Sequence, residues 1–203
     1  MAHVYDGIDA KLRAWIEEQP LFFVSTAPLA ADGLVNLSPK GTRGTFRVVD
    51  EHTFAYLDLT GSGVETIAHL RENGRICVMF CAFDGGPKIV RLHGTGRVTF
   101  ASDPDFDAVI APFGEAAASR RSQSRAVITV DVARVADACG YAVPRMELVE
   151  ERGILDAWAE TRGPEKIATY HSTRNAESLD GLPGLDPPRV IAAGATSRRP
   201  GPA

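Results

Sequence analysis

The chain has 203 residues, with 22 Lys+Arg set against 26 Asp+Glu. That length suits one domain with a sizeable core. The formal net charge of −4 excludes nucleic acid and anionic membranes as default partners, because both select for basic surfaces.

Three cysteines, Cys77, Cys81 and Cys139, make an odd count without a close CxxC pair, so no disulfide framework is expected. Cys77 and Cys81 share one face of a predicted strand with Cα atoms about 13 Å apart, too far to bridge. They read as buried small hydrophobes. The five histidines are scattered without ligand spacing, so zinc is not expected. The opening MAHVYDGIDAKLRAW lacks the basic lead and apolar centre of a signal peptide. No apolar run approaches the ~20 residues of a membrane span, and a cytoplasmic protein is expected.

In chain order, Ile8 to Glu18 predicts a short amphipathic helix, with Ile8, Leu12, Trp15 and Ile16 on one face, stopped by Pro20. Leu21 to Ala27 predicts a strand. Ala31-Asp32-Gly33 is turn chemistry, so Leu34 to Ser38 is expected to return as its hairpin partner, limited by Pro39. Gly41 to Gly44 reads as a loop. Phe46 to Val49 and Thr53 to Leu59 read as strands, the latter with Phe54, Tyr56 and Asp58 on one face. Gly61-Ser62-Gly63 then opens a helix through Asn73, with Val64, Ile67, Ala68 and Leu70 near helical spacing. Ser62 and Glu65 form a capping-box pattern that predicts a start at Ser62 or Gly63. Asn73-Gly74 stops it.

Arg75 to Phe83 is apolar without alternation, which predicts a strand covered on both faces. Lys88 to Phe100 is a long strand whose apolar face carries Gly94 and Gly96, a sign of strong curvature or close backbone packing. Asp103 to Ala111 predicts a short helix, Ser119 to Ser124 a polar loop, and Ala126 to Ala138 the last main strand. Two helices follow, Ile154 to Thr161 and Glu165 to His171, split by Arg162-Gly163-Pro164. Hairpin turns and the shortage of crossover helices favour a mainly β (α+β) antiparallel barrel with flanking helices. The expected domain covers 1–185, with a C-terminal helical extension from about 145. A flexible Pro/Gly-rich tail is expected over 186–203.

The turn from Asp58 to Thr66 is where an anion is expected. Glycines let a ligand approach the backbone, and the helix start offers unpaired N–H groups at the positive end of the dipole. Gly61-x-Gly63-x-x-Thr66 lacks the last glycine of a dinucleotide fingerprint and has no βαβ unit around it. Ser62 lies in Thr-Gly-Ser-Gly, which is not a nucleophile elbow.

The run VNLSPKG, then AYLDLTGSG, ETIAHLREN and RICVMF, resembles the FMN-binding split β-barrel of the pyridoxamine 5′-phosphate oxidase-like family, in particular its oxidase-related group. The resemblance covers Phe22 to about Tyr141. It implies an antiparallel Greek-key split β-barrel and a cytoplasmic homodimer with FMN at the twofold interface. Flavin-dependent redox chemistry would act on a small-molecule substrate with a separate electron donor. It implies that Ser38, Pro39, Lys40 and Gly41 line one side of the cofactor, with Lys40 as the cation for the phosphate. Asp58, Leu59, Thr60, Ser62, Glu65 and Thr66 would line the other. Thr60, Ser62 and Thr66 could donate hydroxyls, and Asp58 and Glu65 would cap N–H groups or meet ribityl hydroxyls. Arg91, with His93 and Arg97 on the same strand face, is a candidate to reach the partner's cofactor.

The chain departs from the vitamin B6 enzyme at Gly63-Val64, where that enzyme carries Arg-Lys. It departs again at ESLDGLPGLDPP, where that enzyme ends in an Arg-Leu-x-Pro type tail. Both departures argue against pyridoxamine phosphate as substrate. The alternatives are a deazaflavin (F420) reductase on the same fold and a non-enzymatic flavin- or haem-binding protein.

Overall fold

Alternation of buried and half-exposed side chains along the strands gives one curled antiparallel sheet in the computed structural model, which describes residues 3–185. The tail expected over 186–203 lies outside the described residues. The strands are β1 (Val4–Tyr5), β2 (Leu21–Thr26), β3 (Asn36–Gly41), β4 (Phe46–Asp50), β5 (Thr53–Leu59), β6 (Arg75–Cys81), β7 (Ile89–Phe100) and β8 (Ser124–Ala138). Their spatial order is β3-β2-β6-β7-β8-β5-β4, with β1 added beside β8. The expected antiparallel barrel architecture is therefore the one observed.

The interior is aromatic. Phe22 is the hub, with ring centroids 5.0 Å from Phe46, 5.3 Å from Tyr56, and 5.6 Å from both Phe54 and Phe80. All five rings are shut off from solvent. Aromatic pairs at such distances add to area burial, and truncating a ring of this kind costs about 3–5 kcal/mol. Helix α1 (Ala10–Glu18) is capped by Asp9, whose carboxylate accepts from the Leu12 N–H at 2.7 Å, and it buries Leu12 and Ile16 in the same core.

Helix α2 (Glu65–Asn73) closes the other side. It lies on β7 where Gly96 leaves room: a Cβ there would sit 2.7 Å from Leu70 Cδ2. At Gly94, beside the β7–β8 irregularity, a Cβ would sit 2.0 Å from the Asp131 carbonyl oxygen. Both glycines thus serve the close packing expected of them. Gly74 ends α2 in the left-handed region at φ 71°.

Several boundaries differ from expectation. Helix α2 begins at Glu65, its N-cap residue is Val64, and no side chain caps it, so the Ser62–Glu65 capping box does not form. Pro39 lies inside β3, which a proline tolerates because β3 is an edge strand. Strand β6 is not covered on both faces: Ile76, Val78 and Phe80 are buried, whereas Cys77 and Met79 are half-buried. The loop expected at Ser119 to Ser124 is instead the end of a helix and a 3₁₀ turn. Helices α3 (Phe106–Ile110) and α4 (Gly114–Arg120), with the 3₁₀ turn Ala111–Phe113 between them, pack Phe106, Ile110, Phe113 and Ala117 on the outer side of β5 and β8.

The C-terminal extension carries the two helices expected, running as α5 (Ile154–Arg174) with a break at Gly163, where φ 71° and ψ 167° are not helical. The 139–153 segment before it carries no helix. Among the described residues, no helix is long and apolar enough to cross a membrane.

Candidate functional site

The end of β5, the turn after it and the facing edge strand β3 enclose a cavity of about 360 Å³. Every expected residue from Ser38 to Gly41 lines it, as do Leu59, Thr60, Ser62, Glu65 and Thr66. Arg125 at the start of β8 and Leu155 at the start of α5 complete the wall. Neither was singled out in the sequence.

Asp58 lies under the floor and is fully buried. One carboxylate oxygen accepts from Lys40 Nζ at 2.9 Å, and the other accepts from Arg125 Nε at 2.9 Å and pairs with its Nη2 at 2.8 Å. Asp58 is thus a counter-ion to two cations, rather than a cap for backbone N–H groups. Burial pushes the Asp58 carboxyl up, but the charges of Arg125 and Lys40 outweigh it and hold its pKa below the ordinary carboxylate value. Two cations against one carboxylate leave a net positive charge at the cavity floor.

The backbone of the turn is held by its carbonyls. Arg125 Nη1 donates to Gly63 O at 2.9 Å and to Gly61 O at 3.4 Å. Asn175 Nδ2 donates to Gly61 O at 3.0 Å and to Ser62 O at 3.5 Å. In a trans peptide the N–H lies opposite the C=O. The N–H groups of Ser62, Gly63 and Val64 therefore point away from the Arg125 and Asn175 donors, and all three residues line the cavity. The uncapped start of α2 adds its own N–H groups and the positive end of its dipole.

Hydroxyl roles follow from proton counting. Thr60 Oγ1 donates its single proton to Gln123 O at 2.9 Å, so His171 Nε2, 2.8 Å away, is the donor to Thr60. Thr60 therefore has no proton left for a ligand. Burial, then the charge of Arg125, pulls the His171 imidazole down to about 4, against an opposing effect of Asp58. Ser38 Oγ donates to Asn36 Oδ1 at 2.8 Å, and Asn36 Nδ2 donates to Thr66 Oγ1 at 3.0 Å and Thr26 Oγ1 at 3.1 Å. Thr66 keeps its proton for the cavity. Ser62 is exposed at the mouth, and the Glu65 carboxylate folds back over Gly63, whose Cβ position lies 2.3 Å from Glu65 Oε2.

Arg91 does not join this cavity within the chain. It lies half-buried on the outer face of β7, opposite Met79 of β6 and Ala136 of β8. Asn36, Arg125, His171 and Asn175 are the site-building residues that sequence reasoning missed. Only Arg125 left a signal, as a lone charge at the head of the apolar run Ala126-Val127-Ile128.

The sequence profile described as "Pyridoxamine 5′-phosphate oxidase" matches residues 8–139. A curated relative, the pyridoxamine 5′-phosphate oxidase family protein ustO of Aspergillus flavus, is 40% identical over 195 residues, covering 89% of this chain and 77% of that protein. Among solved structures, HupZ of Group A Streptococcus superposes with a TM-score of 0.49 at 26% identity, covering 63% of this chain and 91% of that one. An FMN-binding protein of Syntrophomonas wolfei subsp. wolfei superposes at 0.44 with 13% identity, covering 62% and 81%. With a family match over most of the barrel and a relative this similar over most of both chains, the chain belongs to the pyridoxamine 5′-phosphate oxidase family.

Proposed function

We propose that the cavity holds the phosphate end of FMN and that the protein is a flavin-dependent oxidoreductase acting as a homodimer on a small molecule other than pyridoxamine phosphate. The observation that carries this is the cradle itself. Ser62, Gly63 and Val64, whose carbonyl neighbours are tied back by Arg125 and Asn175, line a cavity that also carries Lys40 and Arg125 against the single carboxylate of Asp58. A dianion taken out of water requires both paired charge and donors.

Bound flavin would supply the two-electron redox chemistry. The chain's own part is to bind and orient it. Lys40 has two further ammonium protons beyond the one given to Asp58, Thr66 has a free hydroxyl proton, and Leu57, Leu59 and Leu155 give apolar wall. FMN fits better than F420, because the acidic tail of a deazaflavin would call for further cations and, among the described residues, the cavity wall offers Lys40 and Arg125 alone.

The homodimer is supported by the outer face of the sheet. One register row runs Val4, Ala136, Arg91, Met79, Phe23, Pro39 across six strands, apolar but for the arginine. The row beside it runs Arg134, His93, Cys77, Ser25, Leu37. A second copy on this face would cover it and bring Arg91 toward the other protomer's cavity.

The test is to identify by mass any chromophore released from freshly purified protein and to titrate the cleared protein with FMN and with riboflavin. FMN binding that exceeds riboflavin binding supports the phosphate placement. Equal binding removes the phosphate from this cradle. Flavin binding without turnover of any reduced nicotinamide or other donor would favour a carrier over an enzyme. No quenching by either flavin rejects the reading.

A further inference from the structure

The family match ends at residue 139, yet the cradle is held in part by the chain beyond it. The C-terminal end of α5 and the turn after it pack against the start of α2. Asn175 is fully buried. Its backbone is pinned at both groups: its N–H donates to His171 O at 3.0 Å, and its carbonyl accepts from the Leu185 N–H at 2.7 Å. Gly184 fits so closely that a Cβ there would lie 2.4 Å from Asn175 O and 2.7 Å from a Val64 methyl carbon. Arg71 of α2 donates to Gly184 O. The fold of this segment is itself closed by the Glu177–Pro183 bridge and by Ser178 N–H to Leu182 O at 2.9 Å. The side chain of Asn175 is thus carried on a rigid mount, and its Nδ2 is aimed at the carbonyls of Gly61 and Ser62.

We propose that Asn175 is a positioning residue for anion recognition: by drawing the Gly61 and Ser62 carbonyls toward the C-terminal extension, it turns the Ser62 and Gly63 N–H groups to a phosphate monoester. The inference rests on the FMN reading above and specifies which part of the chain sets up its phosphate site. The chemistry explains the residue type. Both targets are acceptors, so the side chain must present a donor. A short neutral amide does so without placing another charge beside the buried Asp58–Arg125 pair. Its Oδ1 finds no partner among the described residues. Leaving an acceptor unpaired in the interior is unfavourable, so the gain at Nδ2 must offset that penalty.

A phosphate-specific role has a readout that a purely structural role does not share. FMN and riboflavin differ only in the phosphate, so the ratio of their dissociation constants isolates what the cradle contributes. Asn175→Leu keeps the approximate volume and removes the donor, and Asn175→Ala removes the donor without adding bulk or charge. The expected result is that FMN affinity falls roughly tenfold or more, the scale of about one well-made hydrogen bond and the alignment it enforces. Riboflavin affinity should stay within about twofold on the same scale.

Equal loss of both flavins would reduce Asn175 to a packing residue and overturn the proposal. So would unchanged FMN affinity in the variant that folds, as judged by its thermal transition. Should Asn175→Leu fail to fold, the Asn175→Ala comparison decides the matter, because it removes the donor without adding bulk or charge. Wild-type protein that binds FMN no better than riboflavin would instead defeat the phosphate placement itself, and this inference with it.

Discussion

Lys40 and Arg125 make the cavity floor attractive to an anion because Asp58 can neutralise only one of them. Lys40 is also the more dispensable of the two for folding, since its ammonium is partly exposed whereas the Arg125 side chain is 3% exposed. Lys40→Ala should therefore weaken FMN binding by about 1.5–3 kcal/mol, the range for hydrogen bonds to charged groups, and leave riboflavin binding little changed. Fluorescence titration of the two flavins reads both, and an unaltered FMN constant would take Lys40 out of the phosphate site. Glu65 works in the opposite direction. Its carboxylate lies over Gly63 at the mouth of the cradle, stabilising the helix start when no anion is present and repelling one that arrives. Glu65→Gln is expected to lower stability by about 0.3–1 kcal/mol of lost dipole interaction, read as a slightly lower melting temperature, and to tighten FMN binding, most visibly at low salt. Looser binding in that variant would assign Glu65 to the ligand instead. At this scale the sequence was informative where chemistry is local: Ser38 to Gly41 and Asp58 to Thr66 are contiguous stretches, and the fold brings them around one cavity. Asp58 was misassigned because its partners come from elsewhere, Lys40 across the sheet and Arg125 from β8. Such a pairing depends on a register that residues 58 and 125 alone do not specify.

At the scale of elements, α2 and α5 set the shape of the site. The α2 helix was visible from its 3.6-residue periodicity, and its seat was foreshadowed by Gly94 and Gly96, which make sense only if backbone or a helix comes close. Its first turn was misread because Ser62 and Glu65 have the spacing of a capping box, whereas tertiary contacts from Arg125 and Asn175 fix the turn in another conformation. Helix α5 was legible as two helices about a Gly-Pro break, but its docking was not, since an amphipathic pattern says nothing of what it covers. That docking has a pH signature. The His171 imidazole titrates near 4 in the folded protein against about 6.5 when unperturbed. Between those values the unfolded chain takes up a proton that the folded chain resists. Stability from this group is full above about pH 6.5, falls as the pH drops toward 4, and then levels off. The melting temperature should decline over that window, and His171→Gln should flatten the decline. A slope unchanged by the substitution would place the acid sensitivity on another group. Asp58 acts at lower pH: its depressed pKa gives stability that is present above the ordinary carboxylate range and lost only as the pH falls below it.

The whole molecule is a curled sheet with one face filled and one face only half covered. The filled face was readable only in part: Phe54 and Tyr56 share one face of the expected strand, and the fold turns that face inward beside Phe22 and Val24. The other face was harder, because β6 reads as apolar throughout and only the fold shows that Cys77 and Met79 remain half-exposed. Placing a charge at the centre of the apolar row, as in Met79→Glu, should convert the proposed dimer to monomer in light scattering and weaken flavin binding along with it. A wild-type protein that is monomeric at micromolar concentration would remove the dimer and the part given to Arg91. Strand β3 adds a consequence of another kind. It is the open edge of the sheet, and the hairpin leading into it exposes Leu34, Val35 and Leu37. An edge of that composition invites a stray strand from another chain, the first step toward a fibril. Pro39 interrupts the row of N–H groups that such a strand would need, so a residue that lines the cavity also guards the open edge against that pairing.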